Sequence, residues 1–132
     1  MRRELIAAAA LLAAGAAQAQ PALVARGDYL VNAVTGCGDC HSPRDEAGNV
    51  PKGRALTGAA LSFAPTAPFP GWAPIAPPIA GGPTGYTDAQ LVSFLQTGVR
   101  PDGSMARPPM PAFRLNADDA KAVVAYLRAT HP

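Results

Sequence analysis

Cysteine and histidine are scarce in this chain, with two of each among 132 residues. Cys37, Cys40, His41 and His131 do not offer four ligands at the spacing a structural zinc site requires. An alternating strand and helix pattern is missing as well, and with it the setting in which a thioredoxin-like dithiol would sit. After the N-terminal region, no apolar stretch approaches the length of a membrane span. Net charge is also small. The formal value of +2 falls to +1 once Arg2, Arg3 and Glu4 are set aside, which indicates neither a nucleic-acid nor a membrane-surface partner. Finally, the 44 residues between His41 and Tyr86 show no sustained periodicity, and all fifteen prolines lie beyond residue 20, so the chain cannot be mostly regular structure.

What is present begins with an export pattern. Met1, Arg2 and Arg3 form a basic front, Leu5 to Ala17 an apolar run too short to span a bilayer, and Ala17, Gln18 and Ala19 an A-x-A cleavage site. A secretory signal peptide over residues 1–19 is expected, cleaved after Ala19, with no cysteine there to make a lipoprotein. Removing 19 of the 132 residues leaves 113, enough for one domain over residues 20–132.

Helical periodicity occurs in three places. Leu23, Val24, Leu30, Val31 and Val34 recur at helical spacing over residues 22–34, and Gly36 punctuates the end. Thr87 with Gln90 three residues later announces a second helix through Leu91, Phe94 and Leu95, stopping at Gly98. Asn116 caps a third, with Asp118 and Asp119 in its first turn to complement the helix dipole. Ala120, Val123, Val124 and Leu127 form its expected buried stripe. The fold class expected is therefore all-α, about three main helices joined by long Pro/Gly-rich loops, with a short helical turn near Ala55 to Ala60.

The chemistry is concentrated in Cys37-Gly38-Asp39-Cys40-His41, the attachment spacing of c-type haem. Each cysteine can add its sulfur across one haem vinyl group, and the adjacent histidine falls beneath the iron as a neutral imidazole ligand. Export and motif agree, because bacteria attach haem covalently on the outer side of the cytoplasmic membrane. One haem c is expected, held by Cys37 and Cys40 with His41 on the iron. An apolar macrocycle at the centre of the core also accounts for the irregular segment, whose Leu56, Leu61, Phe63, Phe69, Trp72, Ile75 and Ile79 are available to wrap it.

An electron carrier needs a second axial ligand, and a thioether raises the reduction potential relative to a second histidine. Met105, Met110 and His131 remain once Met1 leaves with the signal peptide. Met110 lies in Pro108-Pro109-Met110-Pro111, where fixed backbone angles are expected to hold an extended, stiff segment. Met105 follows the turn-prone Asp102, Gly103 and Ser104, and His131 lies at a chain end where side chains are solvated. These contexts favour Met110. A haem with an open sixth position, acting as an enzyme or sensor, is the competing reading. It lacks an obviously placed distal histidine or arginine, although Arg107 and Arg114 flank the Met110 loop.

Across the length after residue 19 the chain resembles the class I cytochrome c family. The segments GDYLVNAVTGCGDCHSPRDEAG and YTDAQLVSFLQTGVRPDGSMARPPMPAF are similar to monohaem domains of periplasmic cytochromes associated with bacterial dehydrogenases. The resemblance implies a small cytochrome c fold that passes single electrons from a dehydrogenase donor to a cytochrome or oxidase acceptor, without enzymatic activity of its own. It also implies a Pro-Met-Pro ligand context matching Met110, and a crossing of first and last helices through Gly27, Tyr29, Tyr126 and Leu127. Where relatives carry Asn-Ile-Thr-Pro, this chain reads APIAPPIAGGPTGY, which leaves Trp72, Tyr86 and Arg44 as candidates for the haem propionates.

Overall fold

Helices at the two ends of the chain meet where a side chain is absent. In the computed structural model, which describes residues 20–131, helix α1 covers residues 20–34 and helix α4 covers Ala117–Ala129. The export signal expected over residues 1–19 lies outside the described residues. Gly27 of α1 is buried against α4, and a Cβ at that position would run into the Ala122 carbonyl and stand 2.6 Å from the Tyr126 Cβ. The crossing is pinned at its rim by Arg26 Nε on Asp119 Oδ1 at 2.9 Å and by Asn32 Nδ2 donating to the Tyr126 hydroxyl at 2.9 Å. The hydrogen bond from Arg26 holds the Asp119 carboxyl below its ordinary 3.8. Tyr29, expected in this crossing, is instead exposed and lies beneath the Arg26 guanidinium, 5.6 Å from ring centroid to Cζ. It sits two positions from Gly27, which turns it to another face of the helix.

The first helix ends differently from expectation. It widens into a π-helical turn at Leu30–Val34, where the Thr35 N–H and hydroxyl both donate to the Leu30 carbonyl, at 2.8 and 2.9 Å. Gly36 then takes φ 61°, and Cys37–His41 forms a helical turn of its own, α2. The two remaining sequence expectations for helices hold. Helix α3, Asp88–Thr97, opens on the reciprocal Thr87 and Gln90 capping bonds and closes at Gly98 with φ 74°. Helix α4 opens with Asn116 Oδ1 accepting from the Asp119 N–H at 2.8 Å. Leu91, Phe94 and Leu95 of α3 pack with Ala120, Val123, Val124 and Leu127 of α4, joined by Leu30 and Val31 of α1.

The long segment after His41 is organised by one residue. No helical turn forms near residues 55–60, because Leu56 adopts φ 60°, a left-handed conformation that a right-handed helix cannot include and that costs about 1–3 kcal/mol. Offsetting this, Leu56 is only 2% exposed within the core. Its N–H donates to Ser42 Oγ at 2.9 Å, and its carbonyl accepts from the N–H groups of Ile79 and Ala80 at 2.9 and 3.0 Å. Just beyond, strand β1 (Ala59–Ala60) pairs antiparallel with β2 (Ile75–Ala76), Ala59 opposite Ala76. This small two-stranded sheet and a single Val99–Met105 bridge are the β structure among the described residues, and the fold is mostly helical as expected. Of the loop's apolar residues, Leu56 enters the core and Ile79 packs against it, whereas Phe63, Phe69 and Ile75 are exposed.

Candidate functional site

Residues 75–80 are held against α2 through Leu56, and this places a backbone carbonyl under the histidine of the CxxCH motif. Gly58 N–H donates to the His41 carbonyl at 2.7 Å, completing the link between motif and loop. His41 Nδ1 lies 2.7 Å from the Pro77 carbonyl oxygen. A carbonyl can only accept, so Nδ1 carries the proton and the lone pair resides on Nε2. Burial pushes the His41 pKa below its ordinary 6.5, against the upward pull of the Pro77 carbonyl, which favours the neutral ring. Proline contributes no N–H at position 77, and its carbonyl has a single fixed task.

His41 borders a cavity of about 460 Å³ whose wall also contains Cys37, Cys40 and Met110. That volume is in the ~300–1,000 Å³ range of small-molecule and cofactor sites. Leu91, Phe94 and Leu95 of α3 and Val123 and Leu127 of α4 supply its apolar floor, and Ile75, Pro77 and Ile79 of the loop supply a side. Cys37 and Cys40 are both half-buried and are not joined in a disulfide. Burial raises the Cys37 thiol pKa, only partly countered by Thr35, whose hydroxyl lies 3.1 Å from the sulfur. Imidazole nitrogen and thioether sulfur are both axial ligands of redox-active iron. Among the described residues, no group of three or more His, Cys, Asp or Glu is placed to hold a bare metal ion.

The methionine candidates separate in position. Met110 is half-buried in the cavity wall and packs against the core. Met105 is 52% exposed, bridges to Val99 on the far arm of a turn, and does not border the cavity. His131 is exposed and also lies outside the cavity wall. The segment bearing Met110 is not extended as expected. It turns at Pro108 and Pro109, with the Met110 N–H donating to the Arg107 carbonyl at 3.0 Å.

The three candidates for carboxylate partners fare unequally. Tyr86 lines the cavity. Arg44 does not border it and is engaged by Asp39 at 2.8 Å and by the Gly48 carbonyl at 2.9 Å. Trp72 packs edge-on between Phe63 and Phe69, at centroid distances of 5.8 and 6.3 Å, and its Nε1 is buried with no partner among the described residues. Sequence reasoning had no means to select Pro77, and it noted Arg107 only as a flank of the loop. Arg100 and Arg107 both border the cavity. An arginine three positions before the methionine was the available signal.

A family model described as cytochrome c matches residues 24–131. The chain is 31% identical over 108 residues to a diheme cytochrome c-type protein of Cereibacter sphaeroides, covering 78% of this chain and 34% of that protein. It is 38% identical over 79 residues to the cytochrome c subunit of a quinone alcohol dehydrogenase of Gluconobacter oxydans, covering 57% of this chain and 16% of that subunit. The chain thus spans about a third or less of the length of these relatives.

Proposed function

Because the chain belongs to the cytochrome c family, whose members bind haem c and transfer electrons, we propose that it is an exported monohaem carrier serving a dehydrogenase. The observation that carries this reading is the convergence of Cys37, Cys40, His41 and Met110 on one apolar cavity. Such a cavity suits a covalently tethered macrocycle better than a hydrated ion, since its floor offers no charge to a polar ligand. In this assignment Cys37 and Cys40 would hold the haem by thioethers, and His41 Nε2 and the Met110 sulfur would ligate its iron. The two cysteines of this sequence offer one attachment site.

Bound there, the haem supplies a one-electron ferric/ferrous couple. The protein's residues set its terms. His41 is oriented by the Pro77 carbonyl, which makes the imidazole a better electron donor to the metal. Met110 favours the reduced state relative to a second imidazole. The helix side chains exclude water, and Tyr86 and Arg100, which border the cavity, are candidate donors for haem carboxylates. Among the described residues, no helix is long and apolar enough to cross a membrane. The export pattern over residues 1–19 supports a periplasmic location. Likeness to a dehydrogenase cytochrome subunit supports a dehydrogenase as donor and a later cytochrome or oxidase as acceptor, met through a small, wet and rapidly released interface.

An absorption spectrum of the oxidised holoprotein tests the coordination. A low-spin spectrum with a methionine-to-iron charge-transfer band, unchanged within minutes of adding carbon monoxide to the reduced form, is the expected result. A high-spin spectrum that shifts at once on adding cyanide or carbon monoxide would replace the carrier by a ligand-binding sensor or enzyme.

A further inference from the structure

The loop that carries Met110 is tied to a distant segment through one guanidinium. Arg107 Nε donates to the Gly71 carbonyl at 3.0 Å and Arg107 Nη2 to the Trp72 carbonyl at 2.8 Å. Beside them the Ala73 N–H donates to the Pro108 carbonyl at 2.7 Å, and the Met110 N–H closes back on the Arg107 carbonyl at 3.0 Å. Residues 107–110 are therefore held from both directions on residues 71–73. The preceding residue is fixed on the other side, where the Ala106 N–H meets the Gly98 carbonyl at the end of α3 at 3.0 Å.

We propose that Arg107 is a positioning residue for the iron-binding thioether, a clamp that sets how firmly Met110 holds the sixth coordination position. The inference rests on Met110 being that ligand. A thioether is a neutral, weak donor on a side chain with three rotatable bonds. Its occupancy of the metal therefore depends on how much of the ordering cost has been met before it binds. Arg107 meets that cost by fixing the backbone three residues away. The planar fork of arginine reaches two adjacent carbonyls at once, which a lysine ammonium on a flexible stem does not reproduce. Arg114, on the other flank of the loop, makes no side-chain hydrogen bond among the described residues, so it carries a similar charge without the clamp.

The test is a titration of the oxidised holoprotein with imidazole, read as loss of the methionine-to-iron band, with the reduction potential and the far-ultraviolet circular dichroism of each variant measured in parallel. Arg107→Gln should lower the imidazole midpoint about tenfold or more, as expected from losing charge-assisted hydrogen bonds, while helical dichroism is retained. Arg107→Lys, which keeps the charge and is the milder change for folding, should fall between wild type and Arg107→Gln. Arg114→Gln should stay within about twofold of wild type. Wild-type midpoints in both Arg107 variants, an unaltered midpoint in Arg107→Lys alone, or an equal fall in Arg114→Gln would overturn the clamp. Met110→Ala separates the two readings. If it keeps the band, the ligand assignment fails, whereas if it loses the band while the Arg107 variants are unchanged, only the clamp fails.

Discussion

Replacing Met110 with Ala is expected to abolish the methionine-to-iron band and lower the reduction potential by on the order of 0.1 V or more, part of the ~0.8 V range over which axial ligands set haem potentials. The size of the effect follows from coordination. A thioether stabilises ferrous relative to ferric iron, and its removal leaves the position to water or to a stronger donor. Met105→Ala is the matched control. That side chain is 52% exposed and lies away from the cavity, so band and potential should remain near wild type. Loss of the band in Met105→Ala with retention in Met110→Ala would reverse the assignment. Redox titration with absorption detection measures both quantities in one experiment.

Gly27→Val should be the most destabilising substitution in the helical frame, by more than about 3 kcal/mol, a large share of the ~5–15 kcal/mol that holds a domain folded. The reason is the nature of the obstacle. A Cβ at residue 27 meets the Ala122 backbone carbonyl and the base of Tyr126, neither of which can rotate aside. Helices α1 and α4 would have to separate. That opens the packing of Leu30 and Val31 against the α4 stripe and strips the Asn32 and Arg26 contacts from its rim. Thermal unfolding followed by circular dichroism measures the loss. A midpoint within a few degrees of wild type would mean that the crossing is looser than the packing around Gly27 implies.

The helical frame was legible because its signals are local. Thr87 with Gln90 and Asn116 with Asp119 are pairs within one turn, and the chain they cap carries its apolar residues on one face. The Gly27 crossing was reached only through family resemblance, since a buried glycine and an exposed one look alike in sequence. Less could be read between His41 and Tyr86. The left-handed Leu56, the pairing of Ala59 with Ala76 and the choice of Pro77 as partner for His41 all depend on residues brought together from far apart in the chain. Leucine is among the residues least expected at positive φ, and nothing nearby in sequence marks it. The Pro-rich stretch misled for a related reason. Prolines limit each residue's torsion angles, but whether successive ones make a rod or a turn at residues 108–110 is settled by the Arg107 and Ala73 contacts.

For the candidate site the same division holds. The four side chains named from sequence, Cys37, Cys40, His41 and Met110, share one cavity wall, while Arg44 and Trp72 do not border it. Motif spacing places Cys37, Cys40 and His41 together because a single helical turn brings them to one side. Met110 could be singled out because few alternatives existed. Propionate partners had no comparable restriction, as several arginines and aromatics were available and only the fold distributes them.

Intact-mass analysis of the protein matured in an exporting bacterial host, followed by thiol alkylation under reducing and denaturing conditions, tests the central assignment most directly. The chain should carry the added mass of one haem, with Cys37 and Cys40 both refusing the alkylating reagent. A protein of bare polypeptide mass in which both cysteines alkylate would contradict it.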